Sequence, residues 1–172
     1  PVLAGANNFT TISEDQTTNG GDLVSTLISG QVTDVDSGAV QGIAITGVSN
    51  SHGAWQYSTD NGSTWTAVGS VSGSSALLLR SSDKLRFIPD GLNADAASVT
   101  FRAWDQTSGA VGTKVDVTTH GGTTAYSSAT ATSNITVTAV NDAPTVVNGT
   151  TVTLTGTTED TASSGTTASS IL

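Results

Sequence analysis

Cysteine is absent from the 172 residues, so no disulfide can hold this chain and packing, or some other clamp, must do it. Basic residues are scarce: 5 Lys and Arg stand against 14 Asp and Glu, a formal charge of −9. That balance argues against nucleic acid or an anionic membrane surface as a partner and makes a cation the natural counterpart. No run approaches the roughly 20 apolar residues of a membrane-spanning helix, so no membrane insertion is expected. The two histidines, His52 and His120, lie in Gly- and Ser-rich stretches. No G-x-S-x-G elbow, H-E-x-x-H pair or second histidine at ligand spacing accompanies them, which leaves catalysis without apparatus and predicts a protein that is not an enzyme.

What is present is β-patterning. Sustained helical spacing is missing, whereas apolar residues alternate with polar ones across Ser128 to Ala139, across Val99, Phe101 and Ala103, and across Leu85 and Phe87 up to Pro89. Shorter segments at Phe9 to Ile12, Leu23 to Ile28, Gly42 to Val48, Trp55 to Ser58 and Thr64 to Val68 also read as strands. About seven to nine short strands punctuated by Gly, Asn, Asp and Ser predict an all-β chain, an antiparallel β-sandwich of immunoglobulin or cadherin type. Asp60-Asn61-Gly62 marks a tight hairpin, because Asn-Gly tolerates positive φ. Ala76 to Ser82 reads as one helical turn, and Thr107 to Thr124 as a long loop with a short strand at Lys114 to Val117.

The chain also begins to repeat itself. After Val140-Asn141-Asp142-Ala143-Pro144, the opening Pro1-Val2-Leu3 is echoed by Pro144-Thr145-Val146, and the Glu14-Asp15 pair by Glu159-Asp160, two residues further from its proline. The only two glutamates therefore occupy equivalent positions, whereas a merely solubilising acidic surface would mix both acids throughout. This places a complete domain at 1–142 and a linker with the truncated start of the next repeat at 143–172, as expected for a stretch of a tandem array. A tail of that size cannot bury a core, and an extended segment, strand-like over Thr151 to Thr155, is expected there.

Asn141-Asp142-Ala143-Pro144 at the boundary, with Asp34-Val35-Asp36-Ser37-Gly38 inside the repeat, resembles the cadherin-like and VCBS-type tandem repeats of large bacterial surface adhesins of the RTX type. The resemblance implies a calcium-binding, extracellular extender repeat, secreted or at the cell surface, with neighbouring repeats of the same chain as partners. Its metal ligands would be Glu14, Asp34, Asp36, Asp105, Asn141 and Asp142, all oxygen donors of the kind Ca2+ takes in sets of six to eight. In the family arrangement Asp34, Asp36 and Asp105 face the preceding repeat, and Glu14, Asn141 and Asp142 the following one. The animal Asp-Arg-Glu motif is missing. A second reading is a carbohydrate-binding sandwich for surface or matrix polysaccharide, with Trp55 and Tyr57 sharing one strand face; if that face is buried, they belong to the core. Ser58-Thr59-Asp60-Asn61-Gly62-Ser63-Thr64-Trp65 resembles the Asp-box of sialidase propellers, a structural hairpin that occurs once here, with Trp65 expected to pin it.

Overall fold

The computed structural model describes residues 1–144, 156–162, 165 and 167, and the chain divides into two compact units, Pro1–Asn141 and Asp142–Leu172. The first unit contains, in order, β1 (Val2–Leu3), β2 (Ile12–Ser13), β3 (Asp22–Leu23), α1 (Val24–Ile28), β4 (Val32–Thr33), β5 (Gly42–Ser49), β6 (Gly53–Ser58), β7 (Thr66–Ala67), β8 (Ala76–Arg80), β9 (Lys84–Pro89), β10 (Asp95–Trp104), β11 (Lys114–Val115) and β12 (Ala131–Thr138). A six-stranded sheet, β11-β8-β5-β10-β12-β2, faces a four-stranded sheet, β3-β9-β6-β7, and β1 pairs with β4 beside them. All pairings are antiparallel except β2 with β12, where Ile12 and Ser13 lie opposite Val137 and Thr138. The protein is thus an all-β sandwich. The strands outnumber the seven to nine read from the sequence because six are two-residue pairings too short to leave a period.

Alternation explains the sandwich filling. Along β12 Ser133, Ile135 and Val137 are buried while Thr132, Asn134 and Thr136 are exposed, and along β9 Leu85, Phe87 and Pro89 point in. These residues meet Ile43, Ile45, Val99, Phe101, Leu77 and Leu79 of the large sheet in one core with Trp55. Trp55 packs between Phe9, at 4.9 Å between ring centroids, and Phe87, at 5.2 Å.

Two segments depart from the sequence reading. Val24 to Ile28, expected as strand, is a single helical turn whose Val24, Leu27 and Ile28 are all buried; the i, i+3, i+4 spacing is present but too brief to register as a helix. Conversely, Ala76 to Arg80, expected as a helical turn, is β8, and Ala76, Leu77, Leu78 and Leu79 are all buried. A strand covered on both faces carries a continuous apolar run and no alternation. The cover on its outer face comes from Val117, at the end of the short strand expected within the 107–124 loop, and from Ala125 and Tyr126 just beyond that loop, which pack with Ala44, Leu78 and Trp104 in a second, smaller core.

The hairpin after β6 closes on itself. Asn61 and Gly62 have φ of 60° and 93°, Ser58 Oγ accepts from Gly62 N–H at 2.8 Å, and Asp60 accepts from Thr64 N–H at 2.9 Å and Thr64 Oγ1 at 2.6 Å. These bonds hold the Asp60 carboxyl down at about 2, the Thr64 hydroxyl contributing most. Of the second unit, the described residues Thr158 and Thr161 close a turn that leaves Glu159 and Asp160 exposed. The strand expected at 151–155 lies outside the described residues.

Candidate functional site

Sheet geometry sorts the six candidate ligands. β10 starts at Asp95, opposite Val137 near the end of β12, and finishes at Trp104. Ten residues at about 3.3 Å each put Asp105, just beyond β10, on the order of 30 Å from the end of the sheet where Glu14 lies beside Thr138.

At the first end β4 runs into Asp34-Val35-Asp36, and β10 into Asp105, so Asp34, Asp36 and Asp105 line one cavity of about 190 Å³ together with Pro1 and 122–124. Asp34 is largely enclosed, its side chain 10% exposed, and accepts from Asp36 N–H at 3.1 Å. The Asp36 backbone bond holds its carboxyl below the ordinary range. Asp105 accepts from Thr107 N–H at 2.9 Å and Thr107 Oγ1 at 2.6 Å, while its own N–H bonds Ala125 carbonyl at 3.1 Å. Val35, between the two aspartates, is 95% exposed.

At the opposite end Glu14 is 2% exposed. Its N–H bonds Thr138 carbonyl at 3.0 Å, and its Oε1 accepts from Val140 N–H at 2.6 Å, so the carboxylate clips the exit of β12 to the end of β2. Its Oε2 has no hydrogen-bond partner among the described residues. An acceptor oxygen left so costs of order 1–3 kcal/mol, and more where it carries charge. Asn141 closes the first unit and Asp142 opens the second, and both are exposed. The loops at this end are also tied by carboxylates: Asp95 accepts from Ser51 and His52 N–H groups at 3.0 and 2.8 Å, and Asp90 lies 3.3 Å from His52 Nδ1.

The donors are all hard oxygens, which suits Ca2+ and no softer metal. They are not gathered into a cage, since among the described residues no three acidic or histidine side chains converge at metal-ligand range. Among the described residues neither end gathers the six to eight convergent oxygens that Ca2+ takes. Comparison with protein-family models, with curated proteins and with solved structures gave no match to this chain.

The tryptophans are placed by the same register. Trp55 is 3% exposed, and Tyr57 is half-buried against the core with its hydroxyl 3.3 Å from Gly112 carbonyl, so this pair fills the sandwich and offers no open stacking face. Trp65, expected to pin the hairpin, lies half-buried outside the core beside the Gly62 turn, with the Arg86 guanidinium 3.9 Å above its ring. By residue type Asp83 is not distinguished in the sequence from the other aspartates that sit in turns. It is 1% exposed and accepts from Arg80 at backbone N–H (2.6 Å), Nε and Nη2 (2.8 Å). The i, i+3 Arg-Asp spacing across a two-residue turn was its signal.

Proposed function

We propose that this chain is a calcium-binding extender repeat of a secreted bacterial adhesin, in which ions shared with neighbouring repeats stiffen a tandem array for cell adhesion. The observation that carries the reading is the segregation of oxygen donors to two opposite ends of one rigid sandwich, with a buried, half-satisfied Glu14 where the chain leaves it. A site that served the domain alone would gather its ligands in one place. Incomplete sets at both ends suit ions whose remaining ligands come from the adjoining repeat, with Asn141 and Asp142 added by their position in the linker. Ca2+ bound there would neutralise carboxylates that otherwise repel and would restrict the Asn-Asp-Ala-Pro linker. Each end alone should bind weakly, at about 0.1 to 1 mM or above. The test is a protein carrying two consecutive repeats, melted in calcium and in chelator. A higher Tm in calcium, abolished by Asp142→Ala with both sandwiches still folded, supports the reading. Equal melting temperatures in the two buffers overturn it.

A further inference from the structure

The outer face of the four-stranded sheet is chemically unlike the rest of this acidic chain. Directly paired residues share a face in an antiparallel sheet, so Leu23 with Lys84, Ala54 with Ile88, and Arg86 with Gln56 point outward together. Ser58 also points out, opposite Lys84, and the Asp60 carboxylate lies 2.7 Å from its Oγ at the hairpin end; among the described residues of the four strands themselves no carboxylate points outward. Asp22 pairs with buried Leu85 and so belongs to the inner side, where it accepts from Thr10 N–H at 3.0 Å and Thr10 Oγ1 at 2.8 Å. Asp83 is paired with Arg80, whereas Asp60 bonds only the neutral Ser58 and Thr64.

Two cations on this face make no direct ion pair among the described residues. Lys84 Nζ makes no hydrogen bond or ion pair among the described residues. Arg86 bonds only neutral oxygens, Gln56 Oε1 at 3.0 and 2.7 Å and Asn19 carbonyl at 3.0 Å, which leaves two of its five N–H groups unspent. Both flank Trp65: Arg86 stacks on the ring, and a Cβ built at Gly62 would lie 3.5 Å from Trp65 Cζ2 and 3.8 Å from Lys84 Nζ. Two residues of strand set the cations about 6.7 Å apart in line.

We propose that this face is a second binding surface, for a carboxylated polysaccharide laid along β9, with Lys84 and Arg86 meeting its carboxylates and Trp65 packing against a sugar ring. A shallow sheet face with a short cationic row and an aromatic edge suits an extended chain that alternates carboxylates with apolar ring faces. An acidic peptide offers the charges without the rings. Nucleic acid needs more phosphate contacts than two cations supply on a chain of charge −9. The surface is independent of the calcium ends.

The test titrates a short oligogalacturonate into the full chain in chelator, so that no metal bridge contributes, and follows tryptophan fluorescence and backbone amide shifts. Binding should move the amides of β9 and the Trp65 indole, weaken several-fold between about 50 and 500 mM salt, and fall at least tenfold in Lys84→Glu, or in Lys84→Gln if the first variant does not fold. Absence of binding, equal binding by the methyl-esterified oligomer, unchanged affinity in the Lys84 variant, or equal binding by oligoglutamate each overturns the proposal. None of these results bears on calcium-dependent melting.

Discussion

Glu14→Gln separates the role of this side chain in the sandwich from its role toward a cation. In the absence of metal the carboxylate gains one charge-assisted bond to Val140 N–H, of order 1.5–3 kcal/mol, and loses a comparable 1–3 kcal/mol on its unpartnered Oε2. Glutamine keeps an acceptor for Val140 and replaces the orphan oxygen with an orphan amide donor, so the exchange should leave stability in chelator within about 1 kcal/mol of the parent. In a two-repeat protein at about 10 mM calcium, sites of about 0.1 to 1 mM stabilise by roughly 1.4 to 2.7 kcal/mol through mass action. For a domain of this size that corresponds to roughly 3 to 10 °C in Tm. Calorimetry of parent and variant, each in calcium and in chelator, should show that gain in the parent and less than half of it in Glu14→Gln. If both gain equally, Oε2 is not a ligand position and its burial serves the sandwich alone. If the variant melts far below the parent in chelator, the balance of bond against orphan atom is misjudged.

Arg80 and Asp83 should respond unequally to truncation: Arg80→Ala leaves a carboxylate 1% exposed, so urea unfolding should register about 3 kcal/mol, whereas Asp83→Ala leaves a guanidinium 39% exposed that can turn to solvent, at about 2 kcal/mol or less. Asp60 has a folded carboxyl held at about 2, below its unfolded value, so its stabilising bonds are fully present above about pH 4 and lost as pH falls through 2. The protection factor of the Thr64 amide, its exchange rate corrected for the intrinsic pH dependence, should fall as pH drops from 5 to 2 in the parent and be low already at pH 5 in Asp60→Ala. Trp65→Ala should cost only about 1 to 2 kcal/mol by thermal melting, below the 3–5 typical of a core tryptophan, because the ring lies outside the sandwich under one guanidinium.

Where one side of a strand is wet, the sequence was enough. β9 and β12 alternate in composition because they alternate in burial, and the Asn61-Gly62 turn declares its positive φ. Legibility failed where that contrast vanished: β8 is apolar on both faces, and its outer cover comes from Val117, Ala125 and Tyr126, spread thinly through a Gly- and Thr-rich stretch. The five-residue α1 is fixed by what it plugs, and a single turn has little propensity of its own. The site divides in the same way. That Asp34, Asp36 and Asp105 share a cavity depends on two strands, β4 and β10, ending at one place, which no local spacing encodes. Glu14 stood out by the scarcity of glutamate, but its bond to Val140 spans 126 positions and needed the parallel pairing of β2 with β12.

That parallel pairing sets how the first unit would respond to tension applied at its two ends. The segment from Asn7 to Glu14 runs beside Ser133 to Val140 in the same direction, bonded by Ser133 Oγ to Asn7 carbonyl, Phe9 N–H to Asn134 carbonyl, Glu14 N–H to Thr138 carbonyl and Val140 N–H to Glu14 Oε1. A pull that draws the leading segment one way and the departing strand the other slides the two along their length. Every bond in the seam is then strained at once, in shear, whereas a hairpin pulled at its open end parts one rung at a time. Resistance to tension is concentrated in a seam eight residues long, with Glu14 as its last fastening before the linker.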